Sequence, residues 1–289
     1  MPDPEISAIS QALERYSGKY EQEAVEAAIA HREEITPYLI DSLEKVADNP
    51  PQFLEDLDYY LYIYALMLLG HFHETRAHQA IVRFFSLPSP ILDELVGDIV
   101  TEHAPTILYN TSGGDFDLIK SLVLNRQADA YARGEAARAL AYAVAAGQLP
   151  REEVLSFFST LFSGEEAGPQ STFWDLIADC ILDLQPGELL PIIREADERG
   201  LLDGDMVLTE GDFSRALDLS VDHCLERLRQ EMAQRSMDDP HRQMLSWSCF
   251  RNREREPGLS LPDTNPKRDK KAKKSKKKMA KASKHKNRR

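Results

Sequence analysis

Lysine is almost missing from most of this chain. Only Lys19, Lys45 and Lys120 precede residue 267, whereas 11 of the last 23 residues are lysine. From Lys267 onward, 14 Lys or Arg face the single Asp269, a net of +13; since the whole chain carries -13, the residues before Lys267 carry -26. This division predicts a folded acidic body and a basic tail with nothing to bury. Cysteine is scarce too. Cys180, Cys224 and Cys249 share no C-x-x-C spacing, and an odd number closes no complete disulfide framework, so a reducing compartment is expected. The greasiest run, Tyr59 to Leu69, has eleven residues, short of the roughly 20 that cross a bilayer. The opening MPDPEISAIS lacks the basic and apolar parts of a secretory signal. A soluble cytoplasmic protein is the expectation.

Catalytic signatures are equally thin. There is no G-x-S-x-G and no phosphate-cradling G-x-x-x-x-G-K, and Cys180 and Cys224 fall on apolar helix faces, where a thiol is inert. Cys249, near His241 in sequence, would need a lowered pKa to react. No catalytic residue and no cofactor is assigned. The densest group of ligand-type side chains is His71, His73, Glu74 and His78. On an unbroken helix His71, Glu74 and His78 would share a face at i, i+3 and i+7, a weak candidate metal site and the basis of an alternative reading as a metal-dependent enzyme. Gly70 argues instead for a polar hairpin turn, and the H-E-x-x-H order is missing.

What is abundant is helical patterning. In 128–162, Ala136, Ala139, Leu140, Ala143 and Val144 repeat at three- and four-residue steps, as do Val154, Phe157, Phe158, Leu161 and Phe162, giving two helices with one apolar face each. Gly147 suits the end of the first, and Pro150 with Glu152 and Glu153 suits the start of the second. Comparable anchors begin at Ile81, Leu118, Val154 and Leu189, at intervals of 37, 36 and 35, each after a glycine turn. A two-helix period near 36 predicts an all-α α-solenoid, in which stacked neighbours cover faces that one hairpin leaves open. Thr36-Pro37 is expected to open a helix. Phe53 to Gly70 is expected to be central, and Met244, Leu245, Trp247 and Phe250 to cover the last repeat.

Two charged groups carry partner expectations. Asp175, Asp179 and Asp183 form an i, i+4, i+8 stripe beside Trp174, suited to a basic protein partner or, more simply, to a solvated helix face. Arg133 and Arg138 are expected to offset local repulsion. In the tail, Lys270, Lys271, Lys273, Lys274, Lys276, Lys277 and Lys278 are spaced to neutralise phosphates. The tail has no aromatic residue with which to stack on bases, so RNA or a ribosome-like surface is the expected partner without sequence readout. Anionic lipid is less favoured, for want of an acylation signal or an apolar face. A nuclear import signal, or a solubilising segment that folds back on the acidic body, would look alike.

Several blocks carry a family resemblance: REEITPYLIDSLE, ETRAHQAIVRFFSLP, GDIVTE, ARGEAARALAYAVAAGQLPREE, FWDLIADCILDL and MLSWSCFR. Together, over roughly residues 5–252, they resemble the bacterial family known as domain of unknown function 1186. The resemblance implies a HEAT-like all-helical fold and brings no activity or catalytic residues. Many members of that family continue into a zinc-binding module like the one ending the SecA translocase, with C-x-C and a later C-C or C-H pair. This chain departs from that pattern, having no cysteine after Cys249. The organisation expected is therefore a HEAT-like α-solenoid over 1–252, a linker over 253–266 and a disordered lysine-rich tail over 267–289. The function expected is that of an adaptor, not an enzyme.

Overall fold

The computed structural model describes residues 3–202, 217–245, 247 and 250, all within one unit that ends at Phe250. The expected linker and tail, and Cys249, lie outside the described residues. Among the described residues the structure is all-helical; the one β feature is an isolated antiparallel bridge between Arg15 and Tyr59. Fifteen α-helices follow in order. They are α1 Pro4–Glu14, α2 Gln22–Ala30, α3 Arg32–Asp48, α4 Pro50–Glu55, α5 Leu61–His71, α6 His78–Phe85, α7 Ser89–Val96 and α8 Ile99–Thr111. Then come α9 Asp117–Leu124, α10 Ala130–Ala145, α11 Arg151–Leu161, α12 Thr172–Asp183, α13 Leu190–Glu198, α14 Val221–Gln234 and α15 Pro240–Leu245.

Local chemistry explains the boundaries. Asp3, Asp129, Ser171 and Ser220 each accept a backbone N–H from the first turn of α1, α10, α12 and α14, satisfying donors a helix start leaves open. After α10, Gly147 takes φ +74 and the Gln148 N–H reaches back to the Ala143 carbonyl at 2.8 Å. Pro150 then flanks α11, as the hairpin pattern predicts. Thr36-Pro37 behaves differently from its expectation. The helix starts five residues earlier, at Arg32, and runs through Pro37, with the Thr36 hydroxyl donating to the Arg32 carbonyl at 2.8 Å. The apolar stretch from Phe53 also divides, into α4 and the fully buried α5.

The four expected anchors lie on α6, α9, α11 and the junction leading into α13. In chain order these follow α5, α8, α10 and α12; α11 packs on α10, whereas α6 lies mainly on α3 and α9 on α10. The order is not strictly periodic, because α7 intervenes between α6 and α8. A row of helices packs in succession: α3 on α5, α5 on α8, α8 on α10 and α10 on α12. Helix α10 is the most enclosed, meeting α8, α9, α11, α12 and α14, with nearly all its residues buried. Small side chains make that possible. A Cβ placed on Gly134 would lie 2.4–2.9 Å from the Leu176 side chain of α12, closer than non-bonded carbons sit.

The C-terminal stretch is a strap that runs back along this row. Helix α14 lies on α12 and α10, and α15 reaches α5. Met237 sits against Gly70, where an added Cβ would meet its sulfur at 2.7 Å. Trp247 stacks on Phe250 and lies beside His103, and Phe250 contacts Tyr16, Tyr20, Tyr60 and Tyr64. Of the group expected to cover the last repeat, Phe250 instead packs on the first helices, Trp247 lies beside α8 and Leu245 is exposed, because the strap travels back toward the N-terminal end.

Two measurements test this packing. Gly134→Ala should destabilise the protein by about 1–3 kcal/mol in urea unfolding. Combined with Leu176→Ala, the loss should be smaller than the sum of the singles, since the second change removes the clash. The second concerns His103, which is buried with Nε2 lacking a hydrogen-bond partner and whose pKa is pushed down to about 4, chiefly by burial and then by Arg235. The unfolded chain takes up this proton near pH 6.5, so between pH 6.5 and 4 the unfolded state binds more protons and stability falls with falling pH. Relative to His103→Leu, the natural protein should lose about 3 kcal/mol of unfolding free energy between pH 7 and 4.

Candidate functional site

The sequence candidates scatter when folded. Helix α5 ends at His71, and His73 takes φ +52, so the unbroken helix that would align His71, Glu74 and His78 does not form. Each of the three is engaged separately. His71 donates from Nδ1 to the Met237 carbonyl at 2.8 Å. Glu74, buried, accepts from the Arg76 side chain at 2.8 Å, and those hydrogen bonds hold its pKa below the ordinary carboxylate value. His78 bonds Thr111 Oγ1 at 3.0 Å. Among the described residues no three His, Cys, Asp or Glu side chains are grouped to hold a metal.

The expected carboxylate stripe is also divided. Trp174 has no exposed surface, and its indole N–H donates to the Gly168 carbonyl at 2.9 Å; Asp175 is buried as well. The indole fills the core between Phe162 and Phe173 and offers no contact to a partner. Asp179 and Asp183 are half-buried. Arg133 is not a surface charge either: it donates to the Val123 and Glu166 carbonyls, both at 2.8 Å, and lies 3.8 Å over the Phe173 ring.

Arg138 and Asp183 meet in a network that ties the strap to the row. Arg138 bonds Asp183 at 2.6 Å and reaches Glu231 of α14 at 3.5 Å. Glu231 also accepts from the Tyr142 hydroxyl at 2.8 Å and lies 3.4 Å from Arg235. Arg229 donates to the Ala145 carbonyl and Arg235 to the Thr101 carbonyl. Burial pushes the Tyr142 phenol and the Cys180 thiol beside this network far above their ordinary pKa values. Both therefore stay protonated, and Cys180 is no nucleophile.

Next to the network lies a small half-open cavity of about 80 Å³. Thr106, Tyr109 and Asn110 line it from α8, Tyr142 from α10, Met232, Ser236, Met237 and Asp238 from the strap, and His73 from the turn after α5. Thr106 Oγ1 is buried without a hydrogen-bond partner. Sequence reasoning passed over this place. Its one local signal is that Thr106, Tyr109 and Asn110 stand at i, i+3 and i+4 in an otherwise largely apolar helix. The opposing wall comes from residues more than 120 positions later.

Comparison with known proteins bears on the whole of this unit. The family model described as Protein of unknown function (DUF1186) matches residues 4–251. An uncharacterized protein of Chlamydia trachomatis serovar D is 32% identical over 224 residues, covering 78% of this chain and 89% of that protein. An uncharacterized protein of Chlamydia muridarum is 31% identical over 243 residues, covering 84% of this chain and 96% of that one. No solved structure matches. Because the matched span takes in every helix from α1 to α15, the chain belongs to the DUF1186 family.

Proposed function

We propose that this protein is a non-enzymatic cytoplasmic adaptor. Its acidic body, a solenoid of stacked helical hairpins, holds a protein partner, and its lysine-rich C-terminal segment tethers it to RNA or a ribosome-like surface. One observation carries the reading: a net charge of +13 is confined to residues 267–289, while the rest of the chain carries -26. Like charges so concentrated attract polyanions and release their counterions, and without aromatic residues they read no base. Support for the repeat body comes from the succession α3, α5, α8, α10, α12 and from the burial of Ile81, Val154 and Leu189, whereas Leu118 is exposed and its neighbour Ile119 is buried in its place. No helix among the described residues is long and apolar enough to cross a membrane. The partner would meet the acidic exterior of the body, since Trp174 and Asp175 are interior.

Truncation after Pro266 tests the tether while keeping every described residue. The full chain should bind a mixed-sequence RNA with a log–log salt slope of about -5 to -6, as expected if half of the tail cations engage phosphates. The truncated chain should lose that binding with its melting temperature nearly unchanged. Equal RNA binding by both chains would overturn the proposal.

A further inference from the structure

We infer that the cavity between α8, α10 and the turn joining α14 to α15 is a binding site for a small organic cation, the ammonium or guanidinium head of a lysine- or arginine-type group. At about 80 Å³ it has room for about three water-sized groups, the scale of an alkylammonium head and too small for a nucleotide or a cofactor. Its lining combines two tyrosines, two methionines and several residues with oxygen acceptors. Thr106 Oγ1, on a residue 6% exposed, has no hydrogen-bond partner, and a buried hydroxyl left without one is costly unless a ligand or water supplies it. Asn110 spends its Nδ2 on the Gly70 carbonyl at 3.0 Å, which leaves Oδ1 to accept. Asp238, exposed, is also in the lining, its backbone N–H donating to Ser236 Oγ.

The sign of the charge follows from that lining. The cavity walls contain one carboxylate and no Lys or Arg, so an anion would meet repulsion with nothing to offset it. Arg235, on the same strap, is turned to Glu231 at 3.4 Å and to the Thr101 carbonyl at 3.1 Å. Tyr109 and Tyr142 are among the lining residues, and aromatic rings attract ammonium groups. His73, also in the lining, is held at φ +52, a backbone region uncommon for a residue with a side chain.

Calorimetric titration of the full chain at pH 7.5 with propylammonium chloride tests the site, with 1-propanol and propionate as neutral and anionic controls. Saturable one-to-one binding with a Kd on the order of 1 mM is expected. Neither control should saturate. Asp238→Asn, at an exposed position where folding is not at risk, should weaken binding about fivefold. Thr106→Val should weaken it by a similar factor, with an unchanged circular dichroism spectrum as its folding control. Propanol binding as tightly, an Asp238→Asn protein binding as well as the natural one, or no saturation by propylammonium would each overturn the inference. RNA binding plays no part in this readout, so failure here leaves the tether untouched.

Discussion

The close approach of α10 to its neighbours is the constraint on which the rest of the structure depends. A helix enclosed by five others can fit only if most of its side chains are small, and α10 carries alanine at eight of its sixteen positions with Gly134 at the tightest crossing. Small side chains contribute little burial each. The larger apolar area comes from what they admit: Leu176 and Trp174 of α12, Ile107 and Leu108 of α8, Phe158 of α11 and Leu228 of α14, all buried. Large side chains such as these bury more apolar area each than alanine does, and the small residues of α10 leave room for them.

The strap adds a second kind of bond between the parts. Helices along the row α3, α5, α8, α10, α12 each pack on the next. Residues 221–250 add to this by contacting α12, α10, α8, α5 and the aromatic residues around α1, so that distant helices share one covering element. Its contacts alternate in character. Leu228, Met237, Met244 and Phe250 are buried apolar groups, and between them come Arg138–Glu231, Tyr142–Glu231 and His71–Met237. The polar contacts fix register where apolar burial alone would permit sliding, and the small cavity opens where strap and row do not close completely.

Much of the architecture was legible as periodicity. The hairpin around Gly147, the break at Asn49-Pro50, the burial of α5 and the anchors on α6, α9 and α11 follow from three- and four-residue apolar spacing with turn residues between. Errors came where local signals competed. Thr36-Pro37 reads as a cap and first turn, yet Glu33 and Glu34 sit well in an earlier first turn, and the helix accommodates Pro37 six positions in. Asp175, Asp179 and Asp183 read as one stripe beside Trp174, whereas the burial of Trp174 and Asp175 and the indole bond to Gly168 place the start of that stripe inside. Periodicity says which residues share a face and leaves open which of two faces the neighbours cover.

By itself the sequence determined the helical class, the α10–α11 hairpin and the separation of a -26 region from a +13 segment, because composition and spacing act within a few residues along the chain. Family membership was legible in the same way, from blocks of sequence in order. Only the tertiary structure decided where the strap lies, that His71, Glu74 and His78 part company, and that Thr106, Asn110 and Asp238 meet around one cavity. These depend on contacts between residues up to more than 200 positions apart, such as Tyr20 with His241. Which of many possible long-range pairings forms is settled by packing the whole set of helices at once, and no local pattern encodes that choice.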